Sequence, residues 1–492
     1  MVAIGKTMEV LPNDLNGFRI HMVGIKGTGM TALAQLLCSR GAIITGSDVK
    51  DVFYTDEILR NLSIDVTLFN EANIKDDINL VIHSAAYTFD GNVELKETLK
   101  KNIPHLSYPQ ALGEFSLHSY SCGVCGVHGK TTTTGMAGTI LKELGLSVST
   151  LAGSSIASFG SSCIMLGGDK YFVAETCEYN RHFLNFHPKE IILTSVEEDH
   201  QDCYPTYESI LTAFLNYIDR LPEMGKVFYC ADDKGAREVA TLSFSSRPDL
   251  MFIAYGENAI GDYKLKIIGI KDERLYFSLA GFAGEFSLPV PGKYNALNAT
   301  AAIALSLSLL QREKKEITIE DLGLIRRAIS KYTGAKRRFE LIGKVNNIIF
   351  LDDYAHHPTA IKALLKGLKE FYPTRRIIAD FMPHTYSRTA SLLNEFADSF
   401  MDADIVILHK IYASAREVYN GGVTGETLFE KTKKVKRGVH FFSEVLDASD
   451  FVLQTLKEGD LFVTIGAGDN WQLAKKVLSQ LENSLGKTLV RH

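Results

Sequence analysis

Residues 121–134 read SCGVCGVHGKTTTT. Within them Gly126, Gly129, Lys130 and Thr131 spell G-x-x-G-K-T, a turn in which backbone N–H groups and a helix N-terminus can cradle phosphate while the lysine adds a point charge. The longer G-x-x-x-x-G-K-T pattern is not met, because its first glycine would fall at Val124. A Gly-Lys-Thr turn can arise by chance. An apolar strand before it, a helix after it and four successive threonines favour nucleotide binding, with His128 and Thr132 in the same turn. The stretch also holds Cys122 and Cys125 as C-x-x-C. A structural zinc site usually takes four ligands, and no second C-x-x-C or H-x-x-x-H accompanies this pair, so the expectation is two thiols on a buried strand.

The elements that must position such a turn can be read along the chain. FRIHMVGIKGTGMTALAQLLCSRGAIITGSDV runs strand, glycine turn, helix and second strand, ending at Asp48. LVIHSAA (80–86) and NVELKETLKKN continue the alternation, so residues 1–117 are expected to form a small doubly wound, Rossmann-like unit. A P-loop unit is expected over 118–335, with strands at YFVAE and IILTSV, a helix near 207–221, a β-rich patch near 263–290 and a helix from about Tyr294. Residues 336–492 repeat strand then helix through NNIIFLDDYAHHP, RRIIADF, ADIVILHKI and LFVTIGAG, the pattern of a second open parallel sheet. The fold class is therefore α/β in three domains, as a length of 492 residues also implies.

Composition sets further bounds. The chain is 46% hydrophobic and 23% charged with a formal net charge of −5, and no basic stripe points to nucleic acid. MVAIGKTMEVLPNDL has no apolar signal core, and ALNATAAIALSLSLL is too short and too polar for a span, so a cytoplasmic protein without membrane insertion is expected. Seven scattered cysteines form no disulfide framework.

The shortened loop GVHGKTTTT resembles that of the Mur ligases, the ATP-dependent amino-acid-adding enzymes of peptidoglycan synthesis. VAETCEYNRHFL looks like the family's acidic magnesium segment, TSVEEDHQDCY like its T-N-x-E-x-D-H block and PGKYNALNATAA like G-x-H-N-x-x-N-x-x-A-A. AKRRFE, DDYAHHPTAI and PHTYSRT look like motifs of its C-terminal domain. The resemblance spans nearly the whole chain, in order. Within the family these blocks look most like the branch that joins L-alanine to UDP-N-acetylmuramate, as a monomer or homodimer.

The resemblance implies ATP and Mg2+ as cofactors and assigns roles by position. Gly126, His128, Gly129, Lys130, Thr131, Thr132 and Asn295 would bind ATP, with Arg338 and Asp353 reaching it from the third domain. Thr131, Glu175 and His200 would hold magnesium. Gly24, Gly27, Thr28, Gly29, Met30, Asp48 and Ser84 would take the UDP-sugar, and His356, His384 and Arg388 would lie near the sugar acid and the incoming amino acid. Lys130, His200, Arg338, His356 and Arg388 form the expected catalytic set. Physically, joining a carboxylate to an amine requires activation, which ATP supplies as an acyl phosphate, and the cations offset the anions that must meet.

Asp48 lies 19 residues after Gly29, about where the ribose-binding acid of a dinucleotide site belongs. The glycines nevertheless run G-x-x-G-x-G rather than G-x-G-x-x-G, which fits a UDP diphosphate better. Three single positions and one segment depart from the family pattern. Lys26 stands for a frequent glycine, Tyr294 for a histidine and Thr385 for an arginine, and ETCEYN replaces E-A-D-E-S-D while keeping Glu175 and Glu178. With Thr385 present, the grip on the amino-acid carboxylate falls to Arg388 or to Arg416. The rival readings are a recycling ligase that attaches a tripeptide to UDP-N-acetylmuramate, folylpolyglutamate synthetase, which lacks the first domain, and a non-catalytic homologue that binds nucleotide or UDP-sugar.

Overall fold

The structure, a computed structural model, describes residues 10–53, 55–314, 316–413, 419 and 421–489. Residues 1–9 and Arg416 lie outside that set. The chain forms two compact units, the first of Met1–Val196, Leu211–Ala254 and Ala301–Ile325, the second of Glu197–Ile210, Tyr255–Thr300 and Arg326–His492.

The first unit contains two sheets. Strands β1 (Arg19–Val23), β2 (Ile43–Ser47), β3 (Val66–Thr67), β4 (Leu80–His83) and β5 (His105–Ser107) are all parallel, in the order β3-β2-β1-β4-β5. This is the doubly wound arrangement expected, with the order reversing beside β1, where the glycine turn leaves the sheet. The strand expected at 80–86 stops at His83, because the chain turns through Ser84 to Tyr87, whose amide donates to the Ser84 carbonyl. Val23, Val81, Leu95 and Ile103 form an apolar cluster between this sheet and the helix Val93–Lys100.

The larger sheet comprises β6 (Tyr120–Cys125), β7 (Val148–Ile156), β8 (Ser162–Leu166), β9 (Tyr171–Glu175), β10 (Glu190–Leu193), β11 (Lys226–Cys230) and β12 (Met251–Tyr255), in the order β12-β11-β10-β6-β9-β7-β8. β6 lies between β10 and β9, parallel to both. At one edge β8 runs antiparallel to β7. Phe172, Val173, Ile191 and Ile192 are fully buried, as strands covered on both faces must be.

The second unit holds a three-stranded antiparallel sheet, β13 (Leu265–Lys271), β14 (Arg274–Leu279) and β15 (Phe282–Leu288), where the β-rich patch was expected. It also holds a six-stranded sheet of β16 (Glu340–Val345), β17 (Ile348–Asp353), β18 (Ile377–Met382), β19 (Ile405–Leu408), β20 (Val439–Phe441) and β21 (Leu461–Gly466), ordered β16-β17-β21-β18-β19-β20. The expected parallel sheet is present with one difference: β16 is an antiparallel edge strand. Asn346 and Asn347 join it to β17 at φ of 47° and 56°, the paired left-handed conformation that two-residue hairpins use and asparagine tolerates. Phe350, Ile378, Phe462, Leu473 and Val477 are fully buried in its core, and large apolar side chains of this kind each contribute about 1.5–3 kcal/mol.

Candidate active site

The phosphate turn follows from strand register. Val124 of β6 pairs with Glu175 of β9, and Cys125 pairs with Leu193 of β10, so the carboxyl ends of three strands open side by side. Gly126 has φ 129°, and a Cβ there would stand 2.1 Å from the Thr194 hydroxyl, so only glycine fits. Gly129, at φ 81°, caps the helix Lys130–Glu143. The His128 amide donates to Ser195 Oγ at 2.9 Å, which ties the turn to the segment that follows β10. Thr132 is half-buried on the first turn of that helix.

Lys130 and Glu178 form a nearly buried ion pair, with Nζ 3.0 and 2.9 Å from the two carboxylate oxygens and side-chain exposures of 12% and 1%. Nζ also donates to the carbonyls of Gly126 and Val127. Burial opposes the ammonium charge, but Glu178, Cys177 and Glu175 outweigh it and raise the lysine above its ordinary range. Thr131 Oγ1 donates to Glu175 Oε2 at 2.7 Å, and the Gly153 amide donates to the same oxygen at 2.7 Å. Among the described residues no hydrogen bond engages Glu175 Oε1. A hydroxyl and a carboxylate so placed form the oxygen set that suits magnesium.

Cys122 and Cys125 lie on β6 and are 0% and 1% exposed. Residues three apart on a strand face opposite sides, so these two thiols cannot share an ion, and burial pushes both thiol pKa values up.

At the other glycine turn, Gly24 has φ 80°, and Gly27 precedes the helix Thr28–Ser39, in which Met30 is buried. The buried Asp48 carboxylate accepts from the amides of Lys26 (2.7 Å) and Val49 (2.8 Å) and from the Tyr87 hydroxyl at 3.3 Å. Burial and Asp48 together push the Tyr87 phenol up to about 12. Lys26 Nζ donates to the carbonyls of Val49 and Asp51 and pairs with Asp56 at 3.2 Å, so its charge is directed at the segment after β2. Ser84 Oγ accepts from the Ala86 amide. A cavity of about 150 Å³ is lined by Thr28 and Gly29 of this turn together with Tyr108, Gly153, Glu175 and His182.

In the second unit Arg388 is 5% exposed and holds Asp199, with Nε and Nη2 at 3.0 and 2.6 Å from Oδ1. Its Nη1 donates to the His384 carbonyl at 2.8 Å and approaches His384 Nδ1 at 3.1 Å. Burial would raise the Asp199 carboxyl, but Arg388, His200 and His356 hold it well below the usual carboxylate range. His200, at φ 56°, donates its amide to Asp199 Oδ1 at 2.7 Å. His356 stands edge-on to His384, ring centroids 5.9 Å apart, with Nδ1 2.9 Å from the Tyr354 carbonyl. Burial and then the Arg388 charge push the His356 pKa well below its ordinary value.

Arg338 lies over the Tyr354 ring at 5.0 Å and has no carboxylate within ion-pair distance among the described residues. Its neighbour Arg337 is bonded to Asp352 at 2.9 Å. Asp353 accepts the amides of Phe339 and Ala355, both at 2.8 Å, and burial raises its pKa against the pull of Arg338. Asn295 donates to the Pro291 carbonyl at 2.7 Å, beside Tyr294, whose phenol is pushed up by burial and by Asp353. The first unit thus brings together Lys130, Thr131 and Glu175, and the second His200, Arg388, His356 and His384. Sequence reasoning did not pair Glu178 with Lys130 or Asp199 with Arg388, although both acids sit inside blocks already singled out.

Three family models cover most of the chain: "Mur ligase family, catalytic domain" over residues 19–120, "Mur ligase middle domain" over 124–306 and "Mur ligase, glutamate ligase domain" over 337–468. The chain is 56% identical over 476 residues to the UDP-N-acetylmuramate–L-alanine ligase of Treponema pallidum (strain Nichols), covering 96% of this chain and 99% of that one. It is 40% identical over 471 residues to the protein of the same name from Borreliella burgdorferi, covering 95% and 99%. Among solved structures, the UDP-N-acetylmuramate-alanine ligase MurC of Thermotoga maritima superposes with a TM-score of 0.74 at 24% identity, covering 95% and 99%. The murein peptide ligase mpl of Psychrobacter arcticus does so with 0.65 at 24%, also covering 95% and 99%. These two likenesses bear on the three-domain α/β fold alone. By the family models and by its identity to these relatives over nearly its whole length, the chain belongs to the Mur ligase family.

Proposed function

We infer that this chain joins L-alanine to the carboxylate of UDP-N-acetylmuramate at the expense of ATP, a step of peptidoglycan synthesis. The observation that carries the reading is the 56% identity, end to end, with a protein of that name, joined to a phosphate turn whose Lys130 and Thr131 face two carboxylates. A tripeptide acceptor is the second reading, and the fold does not separate the two, since mpl shares it. We assign residues 1–117 to the UDP-sugar, 118–335 to ATP and 336–492 to the incoming amino acid.

The chemistry follows from the side chains. A carboxylate oxygen of the sugar acid attacks the γ-phosphorus of ATP, ADP leaves, and an acyl phosphate results. The amine of L-alanine then attacks the acyl carbon, and phosphate departs as the amide forms. Lys130 offers its ammonium to the transferring phosphoryl group, sharing it with Glu178. Thr131 and Glu175, with His200, are the residues we assign to magnesium, which when bound supplies positive charge to the phosphates. His356 donates through Nδ1 to the Tyr354 carbonyl and is kept neutral by burial, so Nε2 can accept the proton the amine sheds. Arg388 has four of its five N–H donors committed, to Asp199 and His384, and therefore presents at most one to a substrate carboxylate.

Among the described residues no helix is long and apolar enough to cross a membrane. We place the protein in the cytoplasm as a monomer or homodimer, in keeping with the ligase reading. The test is ADP release with UDP-N-acetylmuramate against a panel of amino acids and peptides. ADP release that requires both the sugar acid and L-alanine supports the reading, and no release with any acceptor contradicts it.

A further inference from the structure

Tyr108 begins the helix Tyr108–Ser116, whose first turn is fixed by a capping box between Ser107 and Gln110 and by Pro109. Its ring lies against the glycine turn: a Cβ at Gly29 would stand 2.8 Å from Tyr108 Cζ and 2.9 Å from its hydroxyl oxygen. The same phenol lines the cavity of about 150 Å³ shared with Thr28, Gly29, Gly153 and Glu175. Burial, and after it Cys163, Glu175 and Cys177, raise its pKa. A phenol, protonated near neutral pH in any case, donates to an anion.

Tyr108 is half-buried and lines that cavity, so a ligand there can reach its hydroxyl. Among the described residues no hydrogen bond engages that hydroxyl, although Thr131 and the Gly153 amide both bond Glu175 at the same cavity. The other end of the helix is equally constrained. At Gly113 a Cβ would collide with the Asn185 carbonyl at 2.2 Å, which locks the helix onto the segment that follows Glu178. The helix that carries Tyr108 is thus fixed at both ends, and its phenol lines the cavity that Glu175 also lines.

We propose that the Tyr108 hydroxyl is a substrate-binding group that donates a hydrogen bond to an anionic oxygen of the UDP-sugar acid. Gly29 is glycine because the phenol occupies the space of its side chain. This rests on the function proposed above. Two anions of that substrate have the required chemistry, the diphosphate and the lactyl carboxylate.

The experiment compares the full-length protein with Tyr108→Phe, which removes only the oxygen, by calorimetric titration with UDP-N-acetylmuramate, UDP-N-acetylglucosamine and UDP, with a non-hydrolysable ATP analogue as control. A hydrogen bond to a charged group predicts Kd for UDP-N-acetylmuramate raised about tenfold or more, with KM for that substrate rising in parallel and ATP-analogue affinity unchanged. Equal weakening of all three uridine ligands assigns the bond to the diphosphate, and weakening confined to the muramate assigns it to the carboxylate. Unchanged Kd for all three ligands, in a variant with wild-type thermal stability, overturns the proposal while leaving the ligase reading intact. Failure of the wild-type protein itself to bind UDP-N-acetylmuramate overturns both.

Discussion

Arg388 and Asp199 are separated by 189 residues in sequence and joined at 2.6 Å within one unit, both almost fully buried. A single carboxylate oxygen takes two guanidinium bonds and also the amide of His200, so the arginine, the acid and the His200 turn are set together. Removing one partner leaves the other charge without compensation. Asp199→Ala is therefore expected to lower stability by about 3–5 kcal/mol in denaturant titrations. A loss under about 1 kcal/mol would show that the pair is solvated and does not fix the turn.

Lys130 and Glu178 give a second buried pair with a different consequence. Lys130→Ala should reduce ligation by about a thousandfold or more, because the point charge on the transferring phosphoryl group is lost. It should also destabilise the protein, since Glu178 is left buried. The double variant Lys130→Met with Glu178→Gln removes both charges, so it should recover stability without recovering activity. ADP release and thermal melts measure the two effects separately, and turnover near wild type in either variant is incompatible with the assigned role.

His409 and Asp380 are fully buried, with His409 Nε2 2.6 Å from the Asp380 carboxylate and Nδ1 2.8 Å from the Phe442 carbonyl. Burial opposes the imidazolium, and Asp380 outweighs it, so the folded-state pKa lies above the ordinary value. A raised histidine pKa contributes stability that is fully present below the unfolded pKa and is lost as pH rises through the folded one. The stability advantage of the wild type over Asp380→Asn should therefore be largest near about pH 6 and shrink toward about pH 9. An advantage that grows with pH over that window has the wrong sign for a charged histidine.

Changing Cys122 and Cys125 together to alanine should leave ATP binding and ligation largely intact, because both thiols are enclosed on β6 and face opposite sides of the sheet. Each substitution removes one buried sulfur, so a combined stability loss of about 1–3 kcal/mol is expected. Stoichiometric zinc by elemental analysis of the wild type, absent from the double variant, contradicts this.

Much of the fold was legible because its signals are local. The phosphate turn needs glycine at 126 and 129 for reasons of backbone angle and close approach, and those residues read as such in sequence. The hairpin into β17 was missed although Asn346 and Asn347 carry a turn signal, since the apolar run after them reads equally as an opening parallel strand. The direction of Lys26 was undetermined in sequence. It is decided by Asp56 and two carbonyls supplied by the chain after β2. Tyr108 gave no signal at all, because its relation to Gly29 and Glu175 exists only once the helix Tyr108–Ser116 is packed.

The central claim is that the acceptor is L-alanine. The most direct measurement is kcat/KM for L-alanine against the tripeptide L-Ala-γ-D-Glu-diamino acid, at fixed ATP and UDP-N-acetylmuramate. His384, Tyr386 and His356 are bulky side chains, and exclusion by such groups predicts a preference for L-alanine of about a hundredfold or more. Glycine, lacking one methyl, should be used about 10–200-fold less well. A preference for the tripeptide would contradict the account and identify a recycling ligase instead.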